Sequence, residues 1–314
     1  MKLKIILFTF LFSFLSSETL FPGIFGDDLK NEIIATYKPT STLGYNTARD
    51  TMYLRIDRIE GEVKGIYTNF AMTLPNGVDP STHLYNNGSN NGINCEHLWP
   101  QSLGSGQEPQ KSDMHHMRPC KTNVNTSRGN KPFGESVDSQ TDTWFWLGYQ
   151  YSNIPNSQID EYSESNSYNF EPREDRKGDV ARSIFYFYTM YSNVANQNFF
   201  TSQKDELFNW HLQDVPNNGE INRTWAIASY QQNKPNPFIV DTSLIERIYF
   251  WDDILSGDIN VDHYLDVLDL VQMINIIVNQ ESYSSEVLYI IDANQDNDFN
   301  VLDIVNFVQI IVGE

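Results

Sequence analysis

Two spacings of apolar residues alternate along this chain. Residues 28 to about 60 open with helix-like spacing, and TARDTMY (47–53) reads as a helix start. GEVKGIYTNFAMTLP (61–75) has the β-branched and aromatic content of a strand or hairpin. The polar run NNGSNNG (86–92) is turn chemistry leading into the next segment. Trp144 to Tyr151 is aromatic and expected in the core, whereas Ser152 to Phe170, rich in Ser and Asn, is expected as a surface loop. Val180, Ile184, Phe187, Tyr188 and Tyr191 fit helical spacing and predict a buried helix. LFNWHLQDVP (207–216) and NRTWAIASYQQNKPNPF (222–238) predict a second helical pair ended by prolines. The fold class expected is α+β, mostly helical with a few strands.

At the N-terminus Lys2 and Lys4 precede an apolar run from Ile5 to Leu15, then Ser16 and Ser17. That run is too short to span a bilayer comfortably, so it reads as a secretory signal over residues 1–17, with an uncleaved anchor as the other reading. No later stretch has membrane length. The 314 residues suffice for a well-buried core plus an accessory module.

Composition changes after Phe250. Residues 251–314 hold thirteen acids and no Lys or Arg, leaving 28 acids against 21 bases in residues 1–250. This tail repeats itself at a shift of 34: DINVDHYLDVLD (258–269) aligns with DANQDNDFNVLD (292–303). Oxygen-bearing residues fall at loop positions 1, 3, 5, 9 and 12 in both. They are Asp258, Asn260, Asp262, Asp266 and Asp269, then Asp292, Asn294, Asp296, Asn300 and Asp303. Twelve-residue loops of this kind wrap calcium, so two calcium ions are expected. Each loop leads into an apolar helix. The pattern resembles a type I dockerin, departing from it at position 6, where His263 and Asn297 stand in place of Gly. That resemblance implies a small all-α module over residues 251–314 that docks onto a cohesin-like receptor.

The chemistry concentrates between Asn94 and Gly134. Three of six histidines (His97, His115, His116) and both cysteines lie there, with five basic residues (Lys111, Arg118, Lys121, Arg128, Lys131) against one acid, Asp113, from Gln110 onward. In a chain of net charge −20 such a reversal of sign marks a place for an anion. Phosphodiester hydrolysis needs a base for water, a cation for developing charge and support for the leaving oxygen. Glu96 and His97 are adjacent; on an extended segment their side chains point to opposite faces, so adjacency alone proves nothing. Asn125 and Arg128, at i and i+3, would share a helical face. Asp113 and Asn130 read as loop braces. A competing reading is zinc held by Cys95, His97, His115 or His116, and Cys120, although that spacing fits no compact zinc motif. Cys95 and Cys120 are either a disulfide, which export would permit, or two buried thiols.

Three motifs in order, N-C-E-H-x-W-P-Q-S (94–102), S-D-M-H-H-M-R-P (112–119) and V-N-x-x-R-G-N-x-P-F-G (124–134), resemble the endonuclease I family, secreted non-specific nucleases of the ββα-metal class. The similarity runs over roughly residues 28–250 and implies a nuclease domain spanning 18–250 with a β-hairpin–helix metal motif. It implies His97 as general base, with Glu96 and Asn125 as ligands of one magnesium ion. Arg128 is the first choice to support the phosphate and Arg118 the second, with Lys121 and Lys131 as further substrate contacts. The substrate implied is DNA, with RNA as an open alternative, cut without sequence preference to 5′-phosphate products. Two rivals stand beside it: a calcium-dependent docking protein without catalysis, and a phosphodiesterase for small substrates.

Overall fold

A computed structural model of the chain describes residues 19–86 and 91–313. The signal segment and positions 87–90 of the expected turn lie outside the described residues. The architecture is mixed α+β. Helices α1 (Gly26–Tyr37) and α2 (Tyr45–Thr51) come first, α2 running on into a wider helical turn at Met52–Ile56. Strands β1 (Arg58–Ile59), β2 (Glu62–Lys64) and β3 (Ala71–Thr73) form an antiparallel sheet in that order, within the stretch where the sequence predicts a hairpin. After α3 (Pro80–Tyr85), β4 (Ile93–His97) and β5 (Met117–Lys121) pair antiparallel, and α4 (Thr122–Arg128) follows at once. A second sheet, ordered β7-β6-β8-β9, is built from β6 (Thr143–Trp146), β7 (Tyr149–Tyr151), β8 (Ser163–Ser165) and β9 (Phe170–Glu171).

That second sheet corrects two expectations. The aromatic stretch is a hairpin with one buried and one open end: Trp144 and Phe145 are buried, but Tyr149 and Tyr151 are exposed. The polar stretch 152–170 is no simple surface loop, because Ser163, Glu164 and Ser165 are buried as β8. Serine can enter a core when its hydroxyl is satisfied, and Ser163 Oγ donates to the Tyr67 carbonyl at 2.6 Å.

The remaining helices are α5 (Lys177–Met190), α6 (Gln197–Thr201), α7 (Lys204–Gln213), α8 (Asn218–Ala228), α9 (Pro237–Val240) and α10 (Leu244–Tyr249), then α11 (Val267–Asn279), α12 (Ser285–Ile291) and α13 (Val301–Val312). Helix α5 is the axis of the main core, every one of its residues being buried. Its apolar stripe (Val180, Ile184, Phe187) packs in that core, and its charged first half stays inside because each charge has partners. Arg182 grips Glu220 bidentately at 2.6 and 2.9 Å, and Lys177 reaches Glu135, Glu171 and Glu174 at 2.6–2.8 Å. Removing one partner would strand a buried charge, which is why such networks are all-or-none.

Packing also changes after Phe250, but not cleanly. A separate hydrophobic cluster holds Ile254, Ile259, Met273, Ile290, Ile291 and Phe307, but it also takes in Phe25 from just ahead of α1. Glu246 of α10 lies 3.7 Å from the His263 ring.

Candidate active site

In the β4–β5 hairpin Glu96 stands opposite Arg118 and His97 opposite Met117. Strand alternation gives Glu96 and His97 different neighbours, as the sequence requires. Glu96 is buried, and its Oε1 accepts from the Tyr67 hydroxyl at 2.8 Å and lies 3.5 Å from the Arg128 guanidinium. Burial raises its pKa, with Arg128 and the Tyr67 hydrogen bond pulling the other way. Asn125, on α4, donates its amide nitrogen to Asn94 Oδ1 at 2.9 Å and to the Cys95 carbonyl at 3.3 Å. That commits the nitrogen to β4 and leaves the amide oxygen for another partner. Helix α4 therefore brings Asn125 onto the strand that carries Glu96.

His97 is held from two sides. Its Nε2–H donates to the Lys111 carbonyl at 2.9 Å, so Nδ1 carries the lone pair, and the Gln101 amide approaches Nδ1 at 3.3 Å. Burial, with His116 next in weight, lowers its pKa to about 3, so the ring is neutral at physiological pH. The His116 and Tyr45 rings lie 5.3 and 5.6 Å from it. Gln101 also lines an open groove of about 430 Å³ with Gly104, Gln107, Gln110, Val194 and Asn196. Asp113 anchors the loop that supplies the Lys111 carbonyl: its buried carboxylate accepts from Tyr186, Tyr191, Gln231 and the His115 amide at 2.7–3.1 Å.

The two arginines expected to support phosphate are placed otherwise. Arg128 is buried, and its nitrogens donate to the carbonyls of His97, Leu98 and Gly129 at 2.6–3.3 Å. Its ring neighbour is Phe133, 4.5 Å from the guanidinium. Arg118 is buried beside Arg223; burial first, then that like charge, lowers its pKa to about 10. Lys121 is also buried, donating to Asn123 at 2.9 Å, and Lys131 donates to Ser165 at 2.6 Å. The cations nearest His97's aromatic cover are Lys111 and Arg49, over the Tyr45 ring at 4.9 and 5.3 Å. Sequence reasoning missed Arg49, Tyr45 and Tyr67, which are remote in the chain and carry no local motif. Gln101 sits inside the W-P-Q-S motif and was within reach.

The disulfide alternative fails on geometry. Cys120 pairs in register with Asn94, and Cys95 with Pro119, so the cysteines occupy opposite faces of the hairpin. Cys120 joins the main core, Cys95 packs against a second cluster, and both thiols are free. The zinc reading fails on the same geometry, because Cys95 and Cys120 on opposite faces cannot hold one ion; among the described residues no group of three or more His, Cys, Asp or Glu side chains is gathered.

In the acidic loops the side-chain oxygens face backbone amides. Asp258 accepts from the amides of Asp262 and His263 at 3.1 and 2.8 Å, and Asp292 from those of Asp296 and Asn297 at 3.2 and 2.8 Å. Asp269 and Asp303 likewise accept from Asn260 and Asn294. Asp266 and Asn300 cap α11 and α13 in matching capping boxes. Asn260 and Asn294 each donate to the acid two residues on, Asp262 and Asp296, at 2.9 Å. His263 and Asn297 both adopt left-handed backbone, φ 67° and 65°.

Comparison with known proteins bears on the hairpin–helix site. A family model described as endonuclease I matches residues 25–243. The chain belongs to the endonuclease I family. It is 31% identical over 180 residues to an extracellular ribonuclease of Bacillus subtilis (strain 168), covering 52% of this chain and 56% of that protein. An extracellular ribonuclease of Bacillus amyloliquefaciens is 30% identical over the same length, with the same coverage. The chain thus spans just over half the length of these curated relatives. The endonuclease I match includes Glu96, His97 and Asn125 and leaves the acidic tail outside it. No helix among the described residues is long and apolar enough to cross a membrane.

Proposed function

We propose that this member of the endonuclease I family is a secreted, metal-dependent endonuclease that hydrolyses phosphodiester bonds of DNA and RNA without reading sequence, leaving 5′-phosphates. The observation that carries the reading is the Nε2–H bond from His97 to the Lys111 carbonyl, which turns Nδ1 into a neutral base. As Nδ1 takes a proton from attacking water, the same carbonyl stabilises the imidazolium through Nε2–H. The site fits one magnesium ion: the buried Glu96 carboxylate and the Asn125 amide oxygen are hard ligands, and few protein ligands leave room for water and phosphate oxygens. Glu96 and Asn125 would hold that ion, which would stabilise charge on the phosphoryl and leaving oxygens. Arg128 braces Glu96 and the β4 carbonyls, while Lys111 and Arg49 are the cations placed to meet phosphate. RNA enters with the names of the Bacillus relatives. Plasmid and total RNA incubated with purified protein and magnesium should both be degraded and EDTA should stop it; intact polymers in magnesium would overturn the reading.

A second component concerns residues 251–314. The loops repeat one hydrogen-bond pattern and one left-handed position at a shift of 34, which favours two calcium sites and a dockerin-like role in docking to a cohesin-like receptor. Calcium would recruit the carboxylates from the backbone amides they now face, so titration calorimetry should register two binding events. An absence of heat would leave the tail a plain acidic helical unit.

A further inference from the structure

The β6–β7 hairpin carries chemistry that phosphodiester cleavage alone does not use. Its register pairs Trp144 with Tyr151 and Trp146 with Tyr149, so these four side chains share one face. Trp144 and Tyr162 are buried and form a floor, with Tyr162 5.4 Å from Trp146 and 6.1 Å from Tyr151. On that floor Tyr149 and Tyr151 stand 60% and 43% exposed, their rings 6.1 Å apart and 27° from parallel. Large aromatic rings bury where they can. Here two are held side by side with open faces.

The hairpin is tied to the catalytic framework in two places. The Leu147 amide at its tip donates to the Thr68 carbonyl at 2.7 Å, and Thr68 follows Tyr67, whose hydroxyl holds Glu96. Gln150, whose side chain leaves β7 on the face opposite the two tyrosines, accepts from Asn123 of α4 at 3.1 Å, so the tyrosines stand on the outer face of an edge strand held to α4. Asn123 in turn accepts from the Lys121 ammonium at 2.9 Å.

We propose that Tyr149 and Tyr151 stack the unpaired bases of a single-stranded stretch of the nucleic acid substrate while its backbone runs on to Glu96 and His97; this rests on the nuclease reading. A ring can stack on a base only where the base's face is uncovered, and in a duplex neighbouring pairs cover both faces. Stacking of this kind is indifferent to base identity, in keeping with a site that reads no sequence. The hairpin therefore favours single strands over duplexes.

The test compares wild type, Tyr149→Ala/Tyr151→Ala and Tyr149→Phe/Tyr151→Phe on three substrates: a single-stranded oligonucleotide, its duplex, and an abasic strand of equal length. The alanine pair should lose roughly 10- to 100-fold in kcat/KM on the single strand, mostly through KM, and little on the duplex or abasic strand. The phenylalanine pair, which keeps the rings, should match wild type. An alanine pair that cleaves the single strand normally overturns the proposal, and so does an equal loss on all three substrates. Failure of wild type to cleave any polymer sinks the nuclease reading instead. Anisotropy of a labelled single strand then decides the stacking surface on its own: binding that survives the alanine pair removes it.

Discussion

His97 has its protonation state settled by its surroundings. Burial and the Lys111 carbonyl keep one nitrogen protonated and the other open; His116 and His115 make the same kind of bond, to the Gln110 and Lys234 carbonyls, and what sets His97 apart is its place on β4 beside Glu96. His97→Ala should therefore lower cleavage by roughly 10²–10⁴-fold in a folded protein. Plasmid decay with circular dichroism in parallel checks this, and near-normal cleavage would remove the assignment. His211 makes a stability prediction of known sign. Burial, then Arg182, lowers its pKa to about 4, while its ring pairs with the Thr242 carbonyl. Between pH 6.5 and about 4 the unfolded chain takes a proton that the folded one refuses. The stability His211 provides is therefore complete above pH 6.5 and lost as pH falls toward 4. The melting-temperature gap between wild type and His211→Gln should shrink over that window, and a gap independent of pH would contradict the burial argument.

Elements differ in how far the sequence disclosed them. The β4–β5–α4 unit was legible because its residues carry chemistry in a fixed order and because Asn125 and Arg128 have helical spacing. Helix α5 was legible from its apolar period, though not its complete burial, which depends on partners such as Glu220, distant in sequence. Strands β8 and β9 were illegible: a Ser/Asn-rich stretch has no apolar period, and only contacts with Tyr67 and α4 draw it inward. The orientation of Arg128 was illegible for a similar reason, since motif membership does not say whether a guanidinium faces water or backbone carbonyls. The acidic loops offer a prediction at this scale. A left-handed backbone suits Gly far better than His, so His263→Gly should relieve strain worth on the order of 1 kcal/mol. If the loops hold calcium, the same change should tighten binding in the first loop, read as a lower Kd in calorimetry. Unchanged melting and unchanged Kd would show that the turn is not limiting.

At the scale of the whole molecule, charge and packing divide the chain differently. The tail contributes thirteen acids and no bases, yet its core encloses Phe25. A chain ending at Phe250 should stay folded and active, since the main core lacks no member, but it should melt lower because Phe25 loses its cover. It should also bind polynucleotide faster at low salt, an advantage that fades as salt screens the missing negative charge. Loss of all activity on truncation would mean that the tail completes the catalytic fold. Finally, Cys95 and Cys120 sit unbridged on opposite faces of the very hairpin that bears Glu96 and His97, and burial holds both thiols protonated, Cys95 pushed up to about 12. Cys95 keeps some exposure, but an alkylating reagent can reach Cys120 only when that hairpin opens. The second alkyl mass added to intact protein over time is therefore a clock for the breathing of the catalytic framework, and it runs without any substrate.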